Sequence, residues 1–131
     1  MVIKTFEAFA GYGSQLMALK RLERDYPEVH FEPIGISEID ENPIKAYKAV
    51  HGDITNYGDI SKIDWNNVPD FDLFTYSFPC QDLSVAGKQA GMSKGSGTRS
   101  GLLWEVERIL TEIRDSNGEL PQILFMENVP Q

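Results

Sequence analysis

Short apolar runs alternate along this chain with amphipathic stretches, and that alternation restricts the fold more than any other feature. Val2 to Phe9 is β-branched and aromatic and reads as a first strand. Ser14 then stands as an N-cap for a helix carrying Leu16, Met17, Leu19 and Leu22, which ends near Tyr26-Pro27. Phe31 to Glu38 reads as a second strand, and Asn42-Pro43 as the start of a second helix with Ile44, Tyr47 and Val50. A third strand is signalled around Asn56 to Ile60, and a fourth at Leu73 to Ser77. Leu102 to Arg114 carries Leu103, Val106, Ile109, Leu110 and Ile113 at helical spacing, Asn117-Gly118 ends it, and Ile123 to Met126 supplies a fifth strand. Strands separated by helices demand right-handed crossovers, so the expected fold is α/β, a doubly wound and mainly parallel sheet.

At 131 residues one domain is expected, burying roughly two-thirds of its unfolded surface. No internal repeat or linker divides it. Gly87 to Gly101 is rich in Gly and Ser, but patterned elements flank it, so it reads as a loop of the active-site type. A single cysteine excludes an internal disulfide and agrees with a reducing, cytoplasmic setting. No apolar run approaches membrane-spanning length, and Met1-Val2-Ile3-Lys4-Thr5 does not read as a signal peptide. The net charge of −8 argues against strong nucleic-acid binding by this chain unaided, while leaving room for a cationic small ligand or a partner that supplies the basic surface.

Chemistry-bearing residues fall at the carboxyl ends of the strands, where such sheets place their ligands. The first strand runs into Phe9-Ala10-Gly11-Tyr12-Gly13-Ser14, whose two glycines permit a sharp turn and a close backbone approach. Leu16 stands where a dinucleotide fingerprint has its third glycine, which disfavours a pyrophosphate ligand such as NAD. Glu38, 25 residues after Gly13, is placed to accept ribose hydroxyls, and Asp59 to accept from an adenine amino group. A positively charged nucleoside without a diphosphate suits these carboxylates, and S-adenosylmethionine is one. Cys80, in Phe78-Pro79-Cys80-Gln81, follows the fourth strand, and Glu127 ends the fifth. If those strands are neighbours, a thiol and a carboxyl share one pocket, an arrangement suited to covalent activation of an electron-poor ring. Neither His30 nor His51 belongs to a Cys/His cluster, so no metal site is expected, and Trp65 and Trp104 read as packing residues.

With these residues in place, the chain resembles the N-terminal part of a DNA cytosine-5 methyltransferase. The resemblance rests on Phe9-Ala10-Gly11-Tyr12-Gly13, Glu38, Gly58-Asp59-Ile60, Phe78-Pro79-Cys80-Gln81, Gly97-Thr98-Arg99-Ser100-Gly101-Leu102 and Glu127-Asn128-Val129, in the family's order over essentially the whole chain. It implies a Rossmann-like methyltransferase fold, S-adenosylmethionine as methyl donor and double-stranded DNA as substrate. Cys80 and Glu127 would be catalytic, with Asn128 holding the site's backbone. Phe9, Gly11, Tyr12, Gly13, Glu38, Ile39, Asp59, Ile60, Pro79 and Leu102 would line the cofactor pocket. Gln81, Ser84, Lys88 and Arg99 would belong to a loop that closes over DNA. The family's target-recognition domain and C-terminal motifs are absent from residues 1–131, so the chain alone is expected to transfer methyl groups poorly and to self-associate at a truncated sheet edge. A nucleotide-binding oxidoreductase and a non-enzymatic remnant or split-enzyme partner are the alternative readings.

Overall fold

In a computed structural model, residues 1–77, 103–116 and 118–127 are described. Pro79, Cys80, Gln81, Ser84, Lys88, Arg99, Leu102 and Asn128 lie outside them.

The element order is β1 (Val2–Ala8), α1 (Ser14–Asp25), β2 (His30–Ser37), α2 (Glu41–His51), two short 3-10 turns (Ile60–Lys62 and Trp65–Asn67), β3 (Leu73–Ser77), α3 (Leu103–Asp115) and β4 (Ile123–Glu127). The strands form one sheet in the order β2-β1-β3-β4. Every pairing is parallel, with Glu7 opposite both Ile36 and Thr75, and Ser77 opposite Glu127. This is the doubly wound α/β sheet that the alternation requires.

Side-chain alternation along β1 builds a core on each face. Phe6 and Ala8 face a cluster with Trp65, Phe71, Phe74, Val106, Ile109 and Ile113. Phe6 lies parallel to Phe74, with ring centroids 5.9 Å apart, and 5.0 Å from Trp65. Ile36, in register with Glu7, belongs to the smaller cluster with Ala10, Leu16 and Tyr47. Thus α3 and the 3-10 turns cover one face, and α1 and α2 the other.

Three local expectations are corrected. Asn56 to Ile60 is no strand: Asn56 makes one isolated parallel bridge to Ile36, and Gly58 then turns the chain at φ 76°. The Asn56 side chain occupies the main chain of Glu38 instead, accepting from Glu38 N at 3.1 Å and donating to Glu38 O at 2.9 Å. Ser14 is the first helical residue rather than the cap; left-handed Gly13 holds the cap position without a side-chain bond. The start of α1 is served from β1, where Glu7 accepts from the backbone N–H groups of Gln15 and Leu16. In α2 the cap position is Asp40 and Pro43 sits inside the first turn, where its missing N–H leaves no partner unsatisfied.

Candidate functional site

The carboxyl ends of all four strands meet at one edge of the sheet. Between β1 and α1, Phe9 at φ 54°, Gly11 at φ 57° and Gly13 at φ 85° are all left-handed. A non-glycine residue rarely adopts that region, so Phe9 is held there by its surroundings. Among the described residues a Cβ on Gly11 would meet nothing within 4 Å, so they leave room for an approaching ligand at the turn. A Cβ on Gly13 would come within 2.5 Å of His51 Nε2 and 2.7 Å of Tyr47 Cε2. Gly13 therefore lets α2 pack against the turn, and His51 Nε2 lies 3.1 Å from Gly13 O.

Glu38 follows β2 and is bound by three backbone donors. Gly11 N donates to Oε1 at 2.7 Å, and Ile39 N and Asp40 N donate to Oε2 at 2.9 and 3.0 Å. About four lone-pair positions exist on a carboxylate, so this group is oriented and nearly saturated. Ile39, beside it, is 68% exposed, an apolar surface at the rim of the site. Asp59 caps the first 3-10 turn through Ser61, whose hydroxyl and N–H both donate to Oδ1. Those bonds hold the Asp59 carboxyl below its ordinary pKa. Ile60 beyond it is buried, and its carbonyl accepts from Arg108 of α3 at 3.0 Å. Tyr12 stands 54% exposed on the glycine turn.

At the other side of the edge, β3 and β4 are adjacent and parallel, which is the neighbour relation that a shared thiol and carboxyl site needs. Glu127 ends β4 opposite Ser77, and Cys80 is three residues further along the chain than Ser77. Ser77 Oγ donates to Glu127 Oε2 at 3.0 Å. Gln15 Nε2 donates to Ser77 Oγ at 2.8 Å and to Glu127 Oε2 at 2.5 Å.

Glu7, Gln15, Asn56, His51 and Ser77 were not picked out by sequence reasoning. Only Glu7 left a signal, as a carboxylate inside the apolar run of β1. It is 6% exposed, and burial pushes its pKa up to about 7, against the opposing pull of the Gln15 and Leu16 N–H groups. The buried Tyr47 hydroxyl has no hydrogen-bond partner among the described residues; burial, and then the nearby Glu7 charge, raise its pKa. Among the described residues no group of three or more His, Cys, Asp or Glu side chains could hold a metal ion. None of the described helices is long and apolar enough to cross a membrane.

Folds of this kind carry their ligands at the carboxyl ends of the strands, where the glycine turn and the carboxylates gather here. The family profile for C-5 cytosine-specific DNA methylase matches residues 3–131, and the chain belongs to that family. It is 35% identical to the type II methyltransferase M2.ScrFI of Lactococcus lactis subsp. cremoris, over 98% of this chain and 47% of that protein. It is 32% identical to the orphan methyltransferase M.SssI of Spiroplasma monobiae, over 97% of this chain and 46% of that protein. The chain thus spans about half the length of these relatives. The crystal structure of S. pombe Dnmt2 methyltransferase superposes with a TM-score of 0.70 at 20% identity, over 98% of this chain and 35% of that one. At that identity the likeness establishes the fold.

Proposed function

We propose that this chain is the cofactor-binding and catalytic part of a DNA cytosine-5 methyltransferase using S-adenosylmethionine. The observation that carries the reading is the meeting of an open glycine turn, the oriented Glu38 and the Glu127 carboxyl along one sheet edge, in a chain of this family. The residues fit such a donor chemically. Glu38 accepts a ribose hydroxyl through its remaining lone pair, and accepts the second when Gly11 N–H releases it. The exposed Ile39 provides an apolar face for adenine, and Asp59 an acceptor for its amino group. Acidic surroundings suit a positively charged ligand. Phe9, Gly11, Tyr12, Gly13, Ile60, Pro79 and Leu102 complete the pocket in this reading.

Bound there, S-adenosylmethionine supplies an electrophilic methyl group. The Cys80 thiolate adds to C6 of a cytosine turned out of the duplex, forming a sulfur–carbon bond and pushing electron density to C5. Glu127 contacts ring N3 of the cytosine, and Asn128 steadies the backbone beside it. C5 would take the methyl group as its carrier leaves as a neutral thioether, then lose its proton to water, and expulsion of the Cys80 thiolate would restore the ring. Extruding the base costs a few kcal/mol. Gln81, Ser84, Lys88 and Arg99 offset part of that cost by contacting DNA.

Alone, the chain transfers methyl groups slowly, because it spans half the length of its relatives and leaves the apolar residues of β4 about half exposed. That edge also favours self-association. Equilibrium binding of S-adenosylmethionine tests the cofactor assignment: Glu38→Ala should weaken it at least tenfold. Equal affinity in the two proteins, or no binding by the unaltered chain, would contradict the reading.

A further inference from the structure

We propose that Gln15 is a positioning residue that ties the glycine turn to the Glu127 carboxylate, so that a ligand seated at the turn is felt at Glu127. The inference rests on the cofactor reading above and extends it to a residue outside the pocket.

Gln15, Ser77 and Glu127 come from α1, β3 and β4, and their polar atoms form a closed triangle with sides of 2.8, 2.5 and 3.0 Å. Each available hydrogen is used. The two hydrogens of the Gln15 amide serve Ser77 Oγ and Glu127 Oε2, and the Ser77 hydroxyl serves Glu127 Oε2. Turning the Gln15 amide over would set a carbonyl oxygen against a carboxylate, so its orientation is fixed. Glu127 Oε2 thus accepts twice, while Oε1 has no partner among the described residues and is the oxygen available to a substrate.

The other end of Gln15 is equally constrained. Its backbone N–H reaches Glu7 Oε2 at 3.3 Å, and it lies two residues after Gly13, whose carbonyl accepts from Met17 N at 3.0 Å. Gly13 N in turn donates to Ala10 O at 2.8 Å. A ligand that adjusts the turn must therefore carry the first turn of α1 with it. Gln15 transmits the displacement to one oxygen of Glu127 and leaves the other free. Because coupling between two sites is reciprocal, occupancy at Glu127 also biases the turn.

The test is carbon-13 NMR of the chain labelled at glutamate carboxyl carbons, with Glu127 assigned by its loss in Glu127→Gln. S-adenosylmethionine is added to each protein to the saturation set by its own binding isotherm. The Glu127 signal should move by more than its linewidth in the unaltered chain and remain within it in Gln15→Met, which keeps the side chain's length and removes its donors. Ser77→Ala leaves the Gln15–Glu127 bond in place and should retain the movement, giving a second readout should Gln15→Met fold poorly. A Glu127 signal that is silent on binding, or that moves equally in Gln15→Met, overturns the coupling and leaves the cofactor reading intact. Movement lost in Ser77→Ala also overturns it. Absence of binding by the unaltered chain overturns both.

Discussion

Glu7 places a carboxyl group on β1 against the start of α1, where the helix N-terminus favours its charge and burial opposes it. Burial prevails, and the pKa is about 7 instead of 4.5. A folded-state pKa above the unfolded one means that the folded chain holds the proton more tightly. The resulting stability is complete below pH 4.5 and is lost as pH rises through about 7. At about 1.4 kcal/mol per pKa unit, roughly 3 kcal/mol disappears across that window. Glu7→Gln abolishes this contribution, so the stability difference between the two proteins should shift by about that amount between pH 4.5 and 8. Urea unfolding at several pH values measures it. A difference independent of pH would contradict the assignment. Sequence alone shows Glu7 as a polar interruption of an apolar run, but its environment depends on Gly13 directing α1 back over β1.

At the scale of elements, the turn between β1 and α1 brings two helices together. Gly13 is left-handed and lies against the His51 and Tyr47 rings, so Gly13→Ala adds backbone strain and a steric clash. It should cost about 1–3 kcal/mol. Thermal unfolding should show a midpoint lowered by several degrees, and an unchanged midpoint would refute the packing role. The strands β1, β2 and β3 and the three helices were legible because their apolar spacing matches what each buries, and β4 because it is a short apolar run after the helix stop at Asn117-Gly118. The expected strand near Asn56 was not a strand, because the Asn56 side chain and Gly58 divert the backbone from a ladder. The glycine turn and Glu38 were legible because they follow strands directly. The Gln15–Ser77–Glu127 triangle was not, since it depends on strand order and on the register that sets Ser77 opposite Glu127.

For the molecule as a whole, β4 is the unusual part. Its sequence, Ile123-Leu124-Phe125-Met126-Glu127, is the near-continuous apolar run of a strand buried on both faces, yet Ile123 to Met126 are each about half exposed. It also forms one edge of the sheet. Such a strand pairs readily with another chain. Sedimentation equilibrium should give a mass that rises above 14.8 kDa with concentration, and Phe125→Lys should restore the monomer. A monomer throughout would contradict an adhesive edge. The central claim is chemical, that Cys80 attacks a cytosine while Glu127 holds its ring. Its most direct measurement is mass spectrometry of the chain mixed with S-adenosylmethionine, a duplex containing 5-fluorocytosine and the C-terminal half of M2.ScrFI. The account predicts a covalent protein–DNA species carrying one added methyl group, and none with Cys80→Ser. No covalent species, or one that persists in Cys80→Ser, would contradict it.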